Sequence, residues 1–136
     1  MVKSYRETSS EILKLLEDNK KALGIKQVVE AGATIDFNLQ SPFVYIHFDL
    51  DSKLSSGCEA ISLTAEFFVG ASDKNISEAK AKAIDLTGKI LALFESENYP
   101  LYYEDSPLEL FAEYADKAIL RLEAKTQITL LNYETN

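Results

Sequence analysis

The amino-acid sequence predicts one α+β domain over residues 1–136, with a mostly antiparallel sheet of four to five strands, one long helix packed across it and an N-terminal helix. Two adjacent patterns predict this class. Residues 60–69 alternate between apolar and polar side chains, which is typical of a strand with one buried face. After Gly70 the apolar spacing changes to three and four residues, which indicates an amphipathic helix from Ile76 to Phe94. A long strand followed by a long helix favours a helix lying back on its own sheet.

The N-terminal helix is predicted to begin near Thr8 to Ser10, with Ser9 or Ser10 as its cap, since either hydroxyl can accept a hydrogen bond from the first turn. Apolar residues then recur on one side as far as Leu23, and Gly24 is suited to a left-handed cap. Because the apolar residues cover one side only, we expect this helix to lie on the sheet or beside the second helix.

Three segments with alternating side chains then predict an antiparallel meander: residues 33–40, Phe43–Leu50 and residues 60–69. Ser41-Pro42 separates the first two, and a polar loop at residues 51–59 separates the second from the third.

The long helix is predicted over residues 75–95, where Asn75 and Glu78 have the spacing of a capping box. Gly88 lies inside it and costs up to about 1 kcal/mol relative to alanine, which a close helix–sheet or helix–helix approach would explain. The predicted buried stripe is Ile76, Ala79, Ala83, Leu86, Ile90 and Leu93. It is expected to pack against Ile61, Leu63, Phe67, Leu120 and Leu122.

The C-terminal third ends in a strong strand pattern over residues 118–130, longer than usual strands and therefore expected to extend past the domain. Before it, residues 102–107 favour a loop and residues 108–111 a short strand. Tyr99, Tyr102 and Tyr103 cluster there with two further aromatic residues. Such a cluster fits a protein interface or a satellite of the core, and the sequence leaves both interpretations open.

The composition argues against several classes of function. The net charge is −8, from 14 basic and 22 acidic residues, which disfavours specific nucleic-acid binding. One cysteine, Cys58, cannot form an intramolecular disulfide, and no apolar run is long enough to cross a bilayer. His47 is the only histidine, and the five glycines form no phosphate-binding loop. We therefore expect no catalytic, metal-binding or cofactor-binding residue, no membrane association and no enzymatic activity.

The order of elements resembles the tail-terminator proteins of long-tailed bacteriophages and the related Mu-like prophage tail proteins. The segments that carry the resemblance are residues 41–46, 61–69, 76–94 and 118–130. The resemblance implies a structural subunit that forms a ring, such as a hexamer, caps the tail tube and contacts the head connector. Its partners would be other copies of itself and other tail and connector proteins. It would be cytoplasmic during assembly and later part of the virion tail.

Contacts between subunits or partners are expected where the helices leave the sheet uncovered. These places are the loop at residues 51–59, the turn at residues 70–74, the tyrosine-rich connection and the overhanging strand at residues 125–131. The candidate interface residues are Asp51, Lys53, Ser56, Ser72, Lys74, Tyr102, Tyr103, Lys125 and Gln127.

Two other classes of protein compete with this interpretation. A small acidic secretion chaperone has similar size, acidity and element order and acts as a dimer. A small α+β enzyme or ligand-binding domain would be a monomer with a deep polar pocket. The oligomeric mass in solution separates the three.

Overall fold

The structure, a computed structural model, describes residues 3–31, 39–50, 60–104 and 107–129, which form a mixed six-stranded sheet and three helices. The elements are β1 (Lys3–Ser4), α1 (Tyr5–Asp18), α2 (Lys20–Leu23), β2 (Gln27–Glu30), β3 (Phe43–Leu50), β4 (Ala60–Ser72), α3 (Ile76–Ser96), β5 (Leu108–Tyr114) and β6 (Lys117–Thr129). The predicted α+β class is confirmed.

The strands lie in the order β2, β3, β4, β6, and both β5 and β1 pair with the remaining side of β6. The pairs β3–β4, β4–β6 and β5–β6 are antiparallel, whereas β2–β3 and β1–β6 are parallel. This agrees roughly with the predicted sheet, which was mostly antiparallel with four to five strands.

The first strand of the predicted meander is not the partner of β3. Residues 32–38 lie outside the described residues, and Leu39 and Gln40 are not in a strand. Instead, β2 pairs with β3 in parallel, with Val28 opposite Val44. A parallel pair needs a connection of about a dozen residues, and residues 31–42 supply one.

The ladder between β4 and β6 is the longest in the sheet and runs without a break from Ala60 opposite Thr129 to Ser72 opposite Lys117. Odd-numbered residues of β4 and even-numbered residues of β6 face the helices. The predicted core residues on these strands are all buried: Ile61, Leu63, Phe67, Leu120 and Leu122.

The helix α1 begins five or six residues earlier on the chain than Ser9 or Ser10, the caps predicted for it. Ser4 is the cap: its Oγ accepts from the N–H of Glu7 at 3.2 Å, and the Glu7 carboxylate accepts from the N–H of Ser4 at 3.2 Å. This reciprocal pair stabilises an additional turn. Gly24 has φ 77° and caps the short helix α2, as predicted.

The helix α3 follows its predicted bounds closely, and the Asn75 side chain accepts from the N–H of Glu78 at 2.9 Å. Four stripe residues, Ala79, Ala83, Leu86 and Ile90, are buried. Ile76 and Leu93 are only partly buried, and Phe94 is buried at the end of the stripe. The close approach predicted at Gly88 is wrong for the described chain, because no atom there lies within 4 Å of a Cβ built at that position.

The predicted overhang of the last strand is also wrong as far as residue 129. Thr126 and Ile128 are buried, and Thr129 pairs with β4 on one side and with β1 on the other. Residues 130–131 lie outside the described residues. Removing the chain after Lys125 would therefore remove part of the core.

Replacing Leu86 by alanine is expected to lower the free energy of unfolding by about 2–5 kcal/mol, because Leu86 lies in the main core cluster. Ile84→Ala, on the same helix, is the matched control. Its side chain is 53% exposed, so its effect should stay within about 0.5 kcal/mol. Urea denaturation measures both, and equal effects would show that the buried face of α3 is assigned wrongly.

Candidate interaction surface

Three separate segments close the side of β6 that faces away from β4. β5 pairs with the first part of β6, and the N–H of Glu123 donates to the carbonyl of Pro107 at 3.0 Å. Tyr102 and Lys125 then exchange two backbone hydrogen bonds, of 2.9 and 2.8 Å. β1 pairs with the last residues. As a result β6 lies inside the sheet, and β5 forms its boundary.

The strand β5 is an apolar edge. Among the described residues no strand pairs with its outer side. The large apolar side chains of β5 are between 38% and 53% exposed: Leu108, Leu110, Phe111 and Tyr114. Sheet edges are usually protected by charges, proline or bulges. β5 has a bulge after Leu110 and follows Pro107, but its outer side remains apolar.

The two charged residues of β5 are neutralised within the subunit. Glu109 lies 3.3 Å from the Arg121 guanidinium, and Glu113 lies 2.6 Å from the Lys80 ammonium. Their charges therefore protect the outer edge less than unpaired carboxylates would.

The backbone groups of β5 alternate between β6 and the exterior. Since Pro107 and Glu123 form a hydrogen-bonded pair, Glu109 opposite Arg121 is the next such pair. The N–H and carbonyl groups of Leu108 and Leu110 consequently point outward. Their side chains lie on the helix side of the sheet, because they are opposite Leu122 and Leu120.

The tyrosine-rich connection divides into a packed part and an exposed part. Tyr99 packs on Phe94, and its hydroxyl donates to Glu11 Oε1 at 3.1 Å; burial, with the Glu11 carboxylate, raises the pKa of Tyr99. Tyr102 and Tyr103 are 48% and 36% exposed. The packing interpretation therefore holds for Tyr99, and an interface at Tyr102 and Tyr103 stays a prediction.

A cleft of about 560 Å³ lies between the end of α3 and this connection. Burial, with the Glu95 carboxylate, raises the pKa of Tyr103 in its wall. The lining residues are Leu91, Phe94, Glu95, Asn98, Tyr99, Leu101 and Tyr103. The lining thus combines apolar side chains with a carboxylate, an amide and two phenol groups.

A network of ion pairs lies on the sheet face opposite the helices, beside the buried apolar cluster of Phe43, Tyr45, Phe68 and Ile119 on the same face. Arg121 Nε donates to Glu66 at 2.5 Å, and its Nη2 donates to Glu123 at 2.5 Å. His47 Nδ1 lies 2.8 Å from the other Glu66 oxygen. Glu66 and Glu123 are directly opposite each other and would repel without Arg121. Burial raises the pKa of Glu66, but the hydrogen bonds from His47 and Arg121 outweigh it, so the pKa of Glu66 is lowered.

The candidate interface residues of the sequence fall into separate places. Asp51, Lys53 and Ser56 lie outside the described residues. Ser72 and the exposed Lys74 lie at one end of β4.

The remaining candidates, Tyr102, Tyr103, Lys125 and Gln127, lie in the other half of the sheet. Ser72 lies opposite Lys117 of β6. Lys117 is ten residues, or about 33 Å, from Gln127 along that strand. The two groups cannot form one contact surface. Lys125 is also held by Glu104 at 2.7 Å.

The sequence interpretation missed Leu108, Leu110 and Ile84, all exposed on the helix side or on α3. The sequence predicts a short strand at residues 108–111, but it does not predict that this strand lies at the edge of the sheet.

Within the described ranges, no group of three His, Cys, Asp or Glu side chains is arranged to hold a metal ion. None of the helices described there is both long and apolar enough to span a bilayer.

No family model matches this chain, and neither does any curated protein. Among solved structures, the chain is similar to the gp17 protein of bacteriophage SPP1, with 18% sequence identity and a TM-score of 0.43. The match covers 96% of this chain and 93% of gp17. A similarity at this level does not assign the chain to a family or a function.

Replacing Glu66 by glutamine is expected to lower the free energy of unfolding at pH 7. It should also make the free energy of unfolding depend less on pH in the acid range. The pKa of Glu66 in the folded chain is below its ordinary value of 4.5, so its stabilising effect is complete above that value and is lost as the pH falls further. The difference between the parent and the variant should therefore shrink below about pH 4.5.

Urea denaturation at several pH values measures this difference. Glu97→Gln is the matched control, since Glu97 is exposed and belongs to no ion pair among the described residues. A difference for Glu66→Gln that stays constant from pH 7 to about pH 3 would contradict the assigned role of the network.

Proposed function

We propose that this protein is a structural subunit of a phage or prophage tail, a tail terminator or tail-completion protein. In this proposal it forms a ring that caps the tail tube and contacts the head connector. The segments that carry the sequence resemblance form β3, β4, α3 and β6, which are the central elements of the fold.

The observation that carries the proposal is the apolar outer edge of β5. A subunit that acts by assembling needs a surface that gains free energy when another protein covers it. Exposed apolar patches bordered by polar residues are typical of such surfaces. The outward backbone groups of Leu108 and Leu110, which no described strand pairs with, add hydrogen-bond donors and acceptors to that patch.

The proposal requires no catalysis. In the described part of the chain, His47, Glu66 and Arg121 form one network within the sheet, which gives these groups a structural role. The net charge of −8 is compatible with a ring through which DNA passes, because like charge opposes adhesion of the DNA to the wall.

The proposed partners are further copies of this chain, in a ring of about six, and other tail and connector proteins. The proposed locations are the cytoplasm during assembly and then the virion tail. A secretion chaperone is the second candidate, because an apolar sheet edge also fits an extended segment of a client protein.

Sedimentation velocity at increasing protein concentration, followed by negative-stain electron microscopy, tests the proposal. We expect closed rings of about six subunits. Leu110→Lys should keep the chain folded but monomeric, since it places a charge on the outer edge. Ala92→Lys, at an exposed position of α3 outside the apolar stripe, should still form rings.

A dimer at every concentration would support the chaperone instead, and a monomer at every concentration would contradict both. Circular dichroism establishes that each variant is folded.

A further inference from the structure

We propose that β5 of one copy pairs antiparallel with β2 of the next copy, so that the sheet continues from subunit to subunit. This inference rests on the proposed function, because it specifies how neighbouring subunits of the ring meet. The occupant of the apolar edge is thus a second copy of this chain.

The two strands form opposite ends of the sheet. Among the described residues, neither β5 nor β2 has a second partner strand. β5 runs in the direction of β4, and β2 runs against it, as the strand pairings require. A rotation axis roughly along the strands preserves these directions and places β5 antiparallel to β2 of the neighbour. Such a head-to-tail contact closes into a ring.

The outward backbone groups match in number and spacing. Directly after β2, the N–H of Ala31 donates to the carbonyl of Ile46, and in a parallel pair alternate residues face the partner strand. Val28 and Glu30 therefore point outward, two residues apart, like Leu108 and Leu110. If Leu110 pairs antiparallel with Val28 and Leu108 with Glu30, the outward backbone N–H and carbonyl groups of all four residues form hydrogen bonds.

This register also keeps the helices of all subunits on one side. The Val28 side chain packs with Leu13 against the helix-side core. Leu108 and Leu110 lie on the same side of their own sheet. Residues directly opposite each other share a face, so the proposed pairs bring helix side to helix side. A shift by one residue would reverse the faces and is incompatible with cyclic symmetry.

The two edges can bring apolar side chains together. A shallow groove of about 440 Å³ between β2 and α1 is lined by the apolar Val28 and Leu13 and by the charged residues Lys14, Glu17, Asp18 and Glu30. Leu110 and the exposed Ile84 would contact the apolar part of this groove.

Gly88 supplies an independent observation. It is exposed on α3, four residues after Ile84 and therefore on the same side of the helix. Nothing in the described chain explains a glycine at this position. The helix α1 of the next copy lies beside its β2 and would approach this part of α3, where a glycine allows close contact.

Disulfide cross-linking of the full chain tests the register. In a Cys58→Ser background, Val28→Cys and Leu110→Cys are combined. Within one subunit these positions are four strand spacings, or about 19 Å, apart, too far for a disulfide. Across the proposed contact, hydrogen-bonded partners have Cα atoms about 5.5 Å apart, which suits one.

We expect a ladder of covalent oligomers on a non-reducing gel for this double variant. Gln27→Cys with Leu110→Cys should form no ladder, because Gln27 faces the other side of the sheet. Leu110→Cys alone should assemble without covalent cross-links and run as a monomer on the same gel. If the single variant instead gave disulfide-linked dimers in the same yield as the cross-linked product of the double variant, β5 would pair with β5 of another copy. That result would overturn the proposal.

A comparison of Leu110→Pro with Leu110→Thr isolates the backbone contribution. Both variants lose the leucine side chain, but only proline also removes the outward N–H. We expect assembly to weaken at least tenfold more with proline, and equal weakening would overturn the paired-strand contact.

The outcomes separate this contact from the proposed function. If rings form but the double variant with Val28→Cys and Leu110→Cys gives no covalent ladder, the proposed function is supported and the β5–β2 contact is wrong. A ladder of open chains without rings would support the contact and contradict the tail-capping function.

Discussion

The antiparallel ladder between β4 and β6 is the constraint on which the rest of the structure depends. Both strands have thirteen residues and pair over their whole length, whereas β3 has eight and β5 seven. Among the other strands that the structure describes, none is long enough to cover the outer side of β6, so β5, Tyr102 and β1 cover it in succession. The boundary of the sheet is therefore made of short segments, and the longest of them is apolar.

Several charged side chains of the sheet are paired with one another within the subunit. Arg121 joins carboxylates from three strands, and Lys80 and Lys125 each hold a carboxylate of β5 or of the connection before it. These pairs hold polar groups in place on the face opposite the helices and beside the edge. Besides the paired but exposed side chains of Glu109 and Glu113, the edge exposes apolar side chains and backbone groups that another strand can cover.

The sequence predicted the long elements well, because β4, α3 and β6 repeat their periodicity over many residues. It failed where the signal was short or non-local. β2 has only four residues and no alternation, and its pairing with β3 depends on the rest of the chain. Ser4 and Glu7 have the spacing of a capping box, but the apolar periodicity that begins at Ile12 favoured Ser9 or Ser10 as the cap. The exposure of Leu108 and Leu110 depends on strand order, which local periodicity does not contain.

Hydrogen exchange at single amides of β5, compared between dilute monomer and assembled protein, tests the central claim most directly. The claim predicts that the outward N–H groups of Leu108 and Leu110 exchange rapidly in the monomer and slowly in the assembly. The N–H of Glu109, which faces β6, should be protected in both and serves as the internal reference. Rapid exchange at Leu108 and Leu110 in fully assembled protein would contradict the account.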